Sequence, residues 1–249
     1  MHSSPSDYQA CVAETRAAIA KVDGWLSDRE MQFLITLSAN PTCRGEILEL
    51  GSYRGKSTIA LAKGSRLSDG ATVHTVDPLP PAQILRNLDR AGVADQVAYY
   101  HGLSCDHVPQ WDKPLRLLWH DGANDRDTVE DDVQPLMPWL EDRAIIAFHD
   151  VLNTSGARVF VFAETVLASA NFGAAGVCGS IGWAQYRKCP QDTEPHRKSK
   201  SSLYRKLARL YPFHDASRRM VASRLRYKLL RSTVAHRAIA PETWLRQVA

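Results

Sequence analysis

Between residues 46 and 186, short apolar runs alternate with segments whose apolar positions recur every three or four residues, the pattern of strands each followed by a helix. EILEL (46–50), ATVHTVD (71–77), VAYYHG (97–102), LRLLWHDG (115–122) and RAIIAFHDV (143–151) are the predicted strands. Helices are predicted after the first, over 82–91 where Gly92 stops the chain, from Asp125 to Leu140, and over 156–170. GVCGSIGWAQY (176–186) closes the series as a pair of short strands. Strands alternating with helices predict an α/β fold with a doubly wound, mainly parallel, Rossmann-like sheet, whose ligands sit at the carboxyl ends of the strands.

Ahead of this series, residues 5–39 alternate at helical spacing, and Ser27-Asp28-Arg29-Glu30 has capping-box form before Met31, Phe33, Leu34 and Leu37. Two N-terminal helices follow, placed to cover a ligand, to scaffold the sheet or to pair two copies as a homo-oligomer. Beyond Cys189-Pro190 the stretch QDTEPHRKSKSS looks like a linker, which puts a boundary between residues 1–190 and a helical extension over 191–249.

Charge sharpens that boundary. Residues 191–249 hold 14 Lys/Arg against 4 Asp/Glu, leaving 17 against 23 for residues 1–190, so a body of about −6 carries a tail of about +10. From Ser201 to Arg237, Leu203, Leu207, Leu210, Val221, Leu225 and Leu229 fall at helical spacings among arginines. That basic amphipathic face suits a membrane surface, an acidic protein partner or the acidic body itself. The tail is expected to be dispensable for cofactor binding and to localise the protein. No recognition module accompanies it, so nucleic acid is not an expected partner. Five scattered cysteines with no C-x-x-C pair, and no apolar signal core in MHSSPSDYQA, predict reduced thiols in a cytoplasmic protein, peripheral at a membrane if the tail meets one.

The chemistry starts at Glu46–Lys63, EILELGSYRGKSTIALAK, where an apolar strand turns through Gly51 and Gly55 into a helix. Ser57 is placed to cap that helix, and the glycines let backbone approach a nucleotide-like ligand at the helix N-terminus. The spacing is Glu49-x-Gly51-x-x-x-Gly55 rather than the dinucleotide pattern G-x-G-x-x-G. An acid at the strand end repels a pyrophosphate but accepts hydrogen bonds from an ammonium group, as on S-adenosylmethionine (SAM). Asp77, 26 residues beyond Gly51 at the end of the second strand, is placed to hold ribose hydroxyls.

This segment resembles motif I of class I SAM-dependent methyltransferases, and the order of motifs over residues 45–187 extends the likeness. Tyr53, where many of them have a glycine, is similar to the metal-dependent catechol and sugar O-methyltransferases. The resemblance implies cofactor contacts from Glu49, Gly51, Ser52, Tyr53, Gly55, Ser57, Asp77, Ser104 and Asp121. It implies transfer of a methyl group to a hydroxyl of a sugar or glycoside, a small molecule or glycan, with a phenol or catechol as the alternative acceptor. A non-catalytic adaptor acting through the tail is the alternative outside the enzymes.

Asp121, His149 and Asp150 close two predicted neighbouring strands, and two carboxylates with an imidazole can hold Mg2+ or Mn2+. Asp121 and Asp150 match acids of the metal-dependent relatives; His149 departs from their pattern. The lysine base of the catechol enzymes is replaced by Asn124, and the acid of the sugar enzymes by Ala123. His149, with Asp121, is therefore the expected catalytic pair, His149 as the base and His120 as the next in line.

Overall fold

A computed structural model describes residues 5–154, 156–214 and 221–249, with the side chains of 221–223 outside the description. Two helices, α1 (Pro5–Ile19) and α2 (Asp28–Ala39), precede the alternating series. That series runs β1 (Glu46–Leu50), α3 (Lys56–Ser65), β2 (Val73–Asp77), α4 (Ala82–Ala91), β3 (Val97–His101), the single turn α5 (Ser104–His107) and β4 (Leu115–His120). It continues through α6 (Arg126–Val133), β5 (Leu140–Phe148), α7 (Arg158–Val161), β6 (Phe172–Cys178) and β7 (Ile181–Tyr186). Among the described residues, three helices follow: α8 (Arg197–Ala208), α9 (Val221–Ser232) and α10 (Pro241–Gln247).

The seven strands form one sheet in the order β3-β2-β1-β4-β5-β7-β6. The first five pair in parallel, and β7 pairs antiparallel to both β5 and β6. The expected doubly wound sheet is what forms. Two expected helices are shorter than their patterns. Pro135 and Pro138 turn residues 134–139 into a 3-10 segment after α6, because proline withholds the N–H that an α-turn needs. Residues 162–167 widen into a π-helical turn after α7.

Alternate residues of the central strands point to opposite faces, and both faces are covered. Leu48, Leu118, Ile146 and Phe148 pack on one side with Val159, Phe162 and Val166. Ile47, Trp119, Ile145 and Ala147 pack on the other with Phe33, Leu34, Ile59 and Trp183. The capping box at the start of α2 forms in full, Ser27 and Glu30 each accepting from the other's backbone N–H.

The expected division at Cys189-Pro190 is not a break in the core. Leu207, Leu210, Tyr227, Leu230 and Val234 lie in the first cluster, and Trp244 and Val248 in the second. Trp244 meets Phe33 at 5.8 Å and Trp183 at 4.8 Å, both edge-on. The Val248 carbonyl accepts from Arg143 and from Gln185, each at 3.1 Å. The charge asymmetry is real, but Leu207 and Leu210 of the expected apolar stripe face the body, while Leu225 and Leu229 are exposed. Residues 215–220 and the Val221 side chain, part of the expected amphipathic stretch, lie outside the described residues.

Trp244→Ala should lower the unfolding free energy by about 3–5 kcal/mol, the usual cost of deleting a buried aromatic ring. Chemical denaturation measures it, and a change below about 1 kcal/mol would mean that the tail is not part of the core.

Candidate functional site

A cavity of about 520 Å³ opens at the carboxyl ends of β1, β2, β4 and β5. Its floor is Leu50 to Tyr53 and its sides are Asp77 to Leu79, Leu103-Ser104, and Asp121 to Asn124. Asp23 to Leu26, the connection from α1 to α2, forms the roof. Three contacts hold that roof: Arg54 pairs with Asp23, Lys56 Nζ donates to the Gly24 carbonyl at 3.1 Å, and Trp25 lies over Tyr53 with ring centroids 5.7 Å apart.

Of the expected cofactor residues, Gly51, Ser52, Tyr53, Ser57, Asp77, Ser104 and Asp121 line this cavity, while Glu49 and Gly55 do not. Gly51 has φ +89, and a Cβ there would meet the Gly122 backbone at 2.5 Å. Glycine is required because the ends of β1 and β4 touch, a protein contact rather than the ligand approach expected from the sequence. Gly55, φ +87, is the N-cap of α3, so Ser57 does not cap the helix. Its hydroxyl donates instead to Glu49.

Glu49 departs most from expectation. It is fully buried, and its carboxyl accepts from the hydroxyls of Ser57, Thr58 and, at 2.7 Å, Thr75. Burial pushes its pKa up to about 7 against those three hydrogen bonds, and the charge of Asp121 adds to the rise. The side chain ties β1, α3 and β2 together and has no face toward the cavity.

What the cavity offers is a set of groups suited to SAM. The Ser52 hydroxyl is buried there without a hydrogen-bond partner, so a ligand atom would satisfy it. The N-terminus of α3 lacks a side-chain cap and presents free N–H groups, suited to a carboxylate. Asp77 accepts from Tyr53 N–H at 2.6 Å and Leu79 N–H at 2.8 Å, which fixes its carboxylate at the cavity wall where further lone pairs can take hydroxyl protons.

His149 and Asp150 stand where this cavity meets a second, of about 950 Å³. The second is lined by Asp28, Gln32, Asn153, Ser180, Arg231 and His236, with Trp25 at the border of both. His149 is nearly dry. Its Nδ1 is 3.0 Å from Asp121, and its Nε2 is 3.7 Å from Glu30 and 3.9 Å from Asp150. Burial pushes its pKa down, but the charge of Asp121, its hydrogen bond and the facing acids Glu30 and Asp150 raise it to about 10. Burial likewise works to raise Glu30, but contacts with His149, Ser180 and Ser27 hold it well below the usual carboxylate range. Acids on both sides of the ring favour its charged form, and an imidazolium has no lone pair to take a proton, which argues against His149 as the expected base. His120 is no substitute: it is buried, 3.0 Å from Asp132, and lines neither cavity.

Two participants escaped the sequence reading. Glu30 begins α2 as a capping residue and also reaches His149 and the Ser180 backbone and hydroxyl. Arg158, 4% exposed, donates to the Gly122 and Ala123 carbonyls at 2.8 and 3.1 Å and sets its guanidinium 3.4 Å from Asp121 and 3.9 Å from Asp150. With an imidazolium and a guanidinium beside the same carboxylates, the site does not fit Mg2+ or Mn2+. Among the described residues, no group of three or more His, Cys, Asp or Glu side chains is arranged to hold a metal ion. No helix among them is long and apolar enough to cross a membrane.

Residues 48–151 match the family model of a methyltransferase domain. Among solved structures, an O-methyltransferase from Bacillus cereus in complex with S-adenosylhomocysteine (SAH) is 21% identical. The match covers 73% of this chain and 91% of that one, with a TM-score of 0.52. The O-methyltransferase TomG from Streptomyces achromogenes, involved in tomaymycin synthesis and in complex with SAM, is 18% identical. It covers 71% and 89% at a TM-score of 0.54. CalS11, a TDP-rhamnose 3'-O-methyltransferase of calicheamicin biosynthesis, is 14% identical over 74% and 96% at 0.50. These likenesses establish a common fold.

Gly51→Ala should destabilise the protein by about 2–4 kcal/mol, from a backbone clash and a left-handed φ together. Thermal and denaturant melts read it without any ligand; a variant as stable as the parent would refute the close contact of β1 and β4.

Proposed function

We propose, from the match of residues 48–151 to a methyltransferase domain, that the chain is a class I SAM-dependent O-methyltransferase acting on a polyhydroxylated small molecule, a sugar or glycoside. The observation that carries this reading is the wall formed by His149 and Asp150, which faces the cofactor cavity on one side and a polar second cavity on the other. Asp28, Gln32, Asn153, Ser180 and Arg231 in the second cavity supply donors and acceptors in several directions, as an acceptor rich in hydroxyls needs. Trp25, 82% exposed, adds a flat apolar face that suits the C–H side of a sugar ring. A phenol would use the same face and leave more of the polar lining unmatched.

Bound in the first cavity, SAM supplies a methyl group on a cationic sulfur. Asp77 would hold ribose hydroxyls, while Ser52 and the free N–H groups of α3 would hold the carboxylate end. A sugar hydroxyl is a weak nucleophile, so alignment and proton removal are what the protein contributes. Asp150, oriented by Asn153 at 2.6 Å and Ser180 at 3.2 Å, faces both cavities and takes the hydroxyl proton as the acceptor oxygen is methylated. Asp121 pins His149, whose retained charge offsets the carboxylates around it.

Asp150→Asn should lower kcat by about 10²–10⁴, the usual loss for a general base, while calorimetry shows SAM and SAH bound nearly as before. The wild-type profile of kcat against pH should show no inflection near an imidazole's ordinary 6.5, since His149 keeps its proton to about 10. A fully active Asn variant, assayed over a panel of sugars and phenols, would place the proton elsewhere. No calorimetric signal with SAM or SAH would leave a scaffold rather than an enzyme.

A separate observation supports a surface contact. On α9, Tyr227 and Leu230 face the core, while Leu225 and Leu229 are 74% and 68% exposed among Arg224, Arg226 and Lys228. Such a face fits an anionic lipid surface. Sedimentation with phosphatidylserine vesicles should pull the protein down in a salt-sensitive way that Leu225→Ser with Leu229→Ser removes. Equal behaviour with neutral vesicles would contradict the contact.

A further inference from the structure

Two half-buried carboxylates that converge from neighbouring strand ends form an incipient divalent-cation site, because hard oxygen donors in a poorly hydrated space lower their energy by gathering a cation. Asp121 follows β4 and Asp150 follows β5, with 26% and 28% of their side chains exposed. Between them stands a cation that the chain itself supplies. Nη1 of Arg158 is 3.4 Å from Asp121 Oδ1 and 3.9 Å from Asp150 Oδ2. These are ion-pair separations rather than tight hydrogen bonds. The tight bonds go to backbone: Nε to the Ala123 carbonyl at 3.1 Å and Nη2 to the Gly122 carbonyl at 2.8 Å. Nη1 also reaches the His149 carbonyl at 3.5 Å. The guanidinium is thus anchored by the loops after β4 and β5 and holds its charge between the two acids. A lysine could bring the charge but not this planar fork to the carbonyls.

We propose that Arg158 takes the place of a divalent cation between Asp121 and Asp150, so that the site works with a built-in guanidinium and becomes a divalent-metal site when that charge is removed. The inference rests on the methyl-transfer reading of this site. Within it, Arg158 is a positioning residue: it fixes the two carboxylates and offsets their charge without touching the reacting atoms. The protein needs no divalent ion for turnover, and Arg158→Gln leaves Asp121, Asp150 and Glu30 with the His149 ring to offset them, an excess of negative charge that oxygen-seeking cations fill.

The test uses Mn2+ alone as the probe, read by electron paramagnetic resonance and calorimetry on the full chain, so it does not depend on knowing the acceptor. Wild type should show no stoichiometric Mn2+ site. Arg158→Gln, still folded and still binding SAH, should bind one Mn2+ at least about tenfold tighter than wild type, equivalent to about 1.4 kcal/mol. Adding Asp121→Asn to that variant should abolish the gain. Arg158→Lys keeps a cation in place and should exclude Mn2+ as wild type does. Where an acceptor supports turnover, wild type should keep full activity in excess chelator. A stoichiometric Mn2+ site in wild type, or a folded Arg158→Gln that binds Mn2+ no better than wild type, would overturn the proposal. If Arg158→Gln does not fold, the wild-type and Arg158→Lys titrations decide: Mn2+ bound by wild type overturns it, and exclusion by both supports it. Absent methyl transfer with these metal results intact would remove the enzymatic reading and leave the charge substitution standing.

Discussion

Three carboxylates and two cations share a nearly dry space at the carboxyl ends of β4 and β5, and the balance of those charges governs the arrangement around it. Glu30, His149 and Arg158 are each less than 10% exposed. An ion in such a place costs several kcal/mol unless partners compensate it, so removing any one member strands the others. Each partner comes from a different part of the chain. Glu30 arrives from the first turn of α2, Asp121 and His149-Asp150 from strand ends, and Arg158 from the start of α7. Gly179, φ +63, gives the β6–β7 turn room for the Glu30 side chain, which a Cβ there would meet at 2.8 Å. Charge balance at the site therefore constrains a hairpin and a helix that carry no chemistry themselves.

The same arrangement ties the segments on both sides of the sheet to the two cavities. With Glu30 fixed by Ser27, Ser180 and His149, the start of α2 is held, and the α1–α2 connection lies over the cofactor cavity as a roof. From the other end, the His236 carbonyl accepts from Arg29 and from Gly179 N–H, at 3.0 and 3.2 Å. That places Arg231 and His236 in the wall of the second cavity. The second cavity is thus built by segments before and after the sheet, and the sheet between them supplies the wall it shares with the first.

How much of this the sequence reveals depends on how local the cause is. The sheet, its strand ends and the capping box are encoded in runs of a few residues, so periodicity finds them, and the likeness at 45–187 names the fold. Roles fixed by distant partners are less legible. Glu49 has the right place for a ligand contact, but Ser57, Thr58 and Thr75 turn it inward. Gly51 signals a tight turn, while its close neighbour is Gly122, far along the chain. Glu30 was visible as a cap, and nothing in Ser-x-x-Glu announces a second duty toward His149. Arg158 sits in a four-residue helix with no motif around it. The tail shows the reverse case, in which a charge break read as a boundary overlies apolar positions that complete both cores.

Asp121, Glu30 and Asp150 hold His149 as an imidazolium, and the nitrogen chemical shifts of its ring test this most directly. With uniformly 15N-labelled protein and His149→Gln to assign the signals, long-range proton–nitrogen correlation spectra can be recorded from pH 6 to 10. The raised pKa works in favour of the fold below the ordinary 6.5 and loses that effect as pH rises through about 10. Both ring nitrogens of His149 should accordingly keep imidazolium shifts through pH 9. A neutral tautomer at pH 7, with one nitrogen at the unprotonated position, would contradict the account and restore His149 as a base.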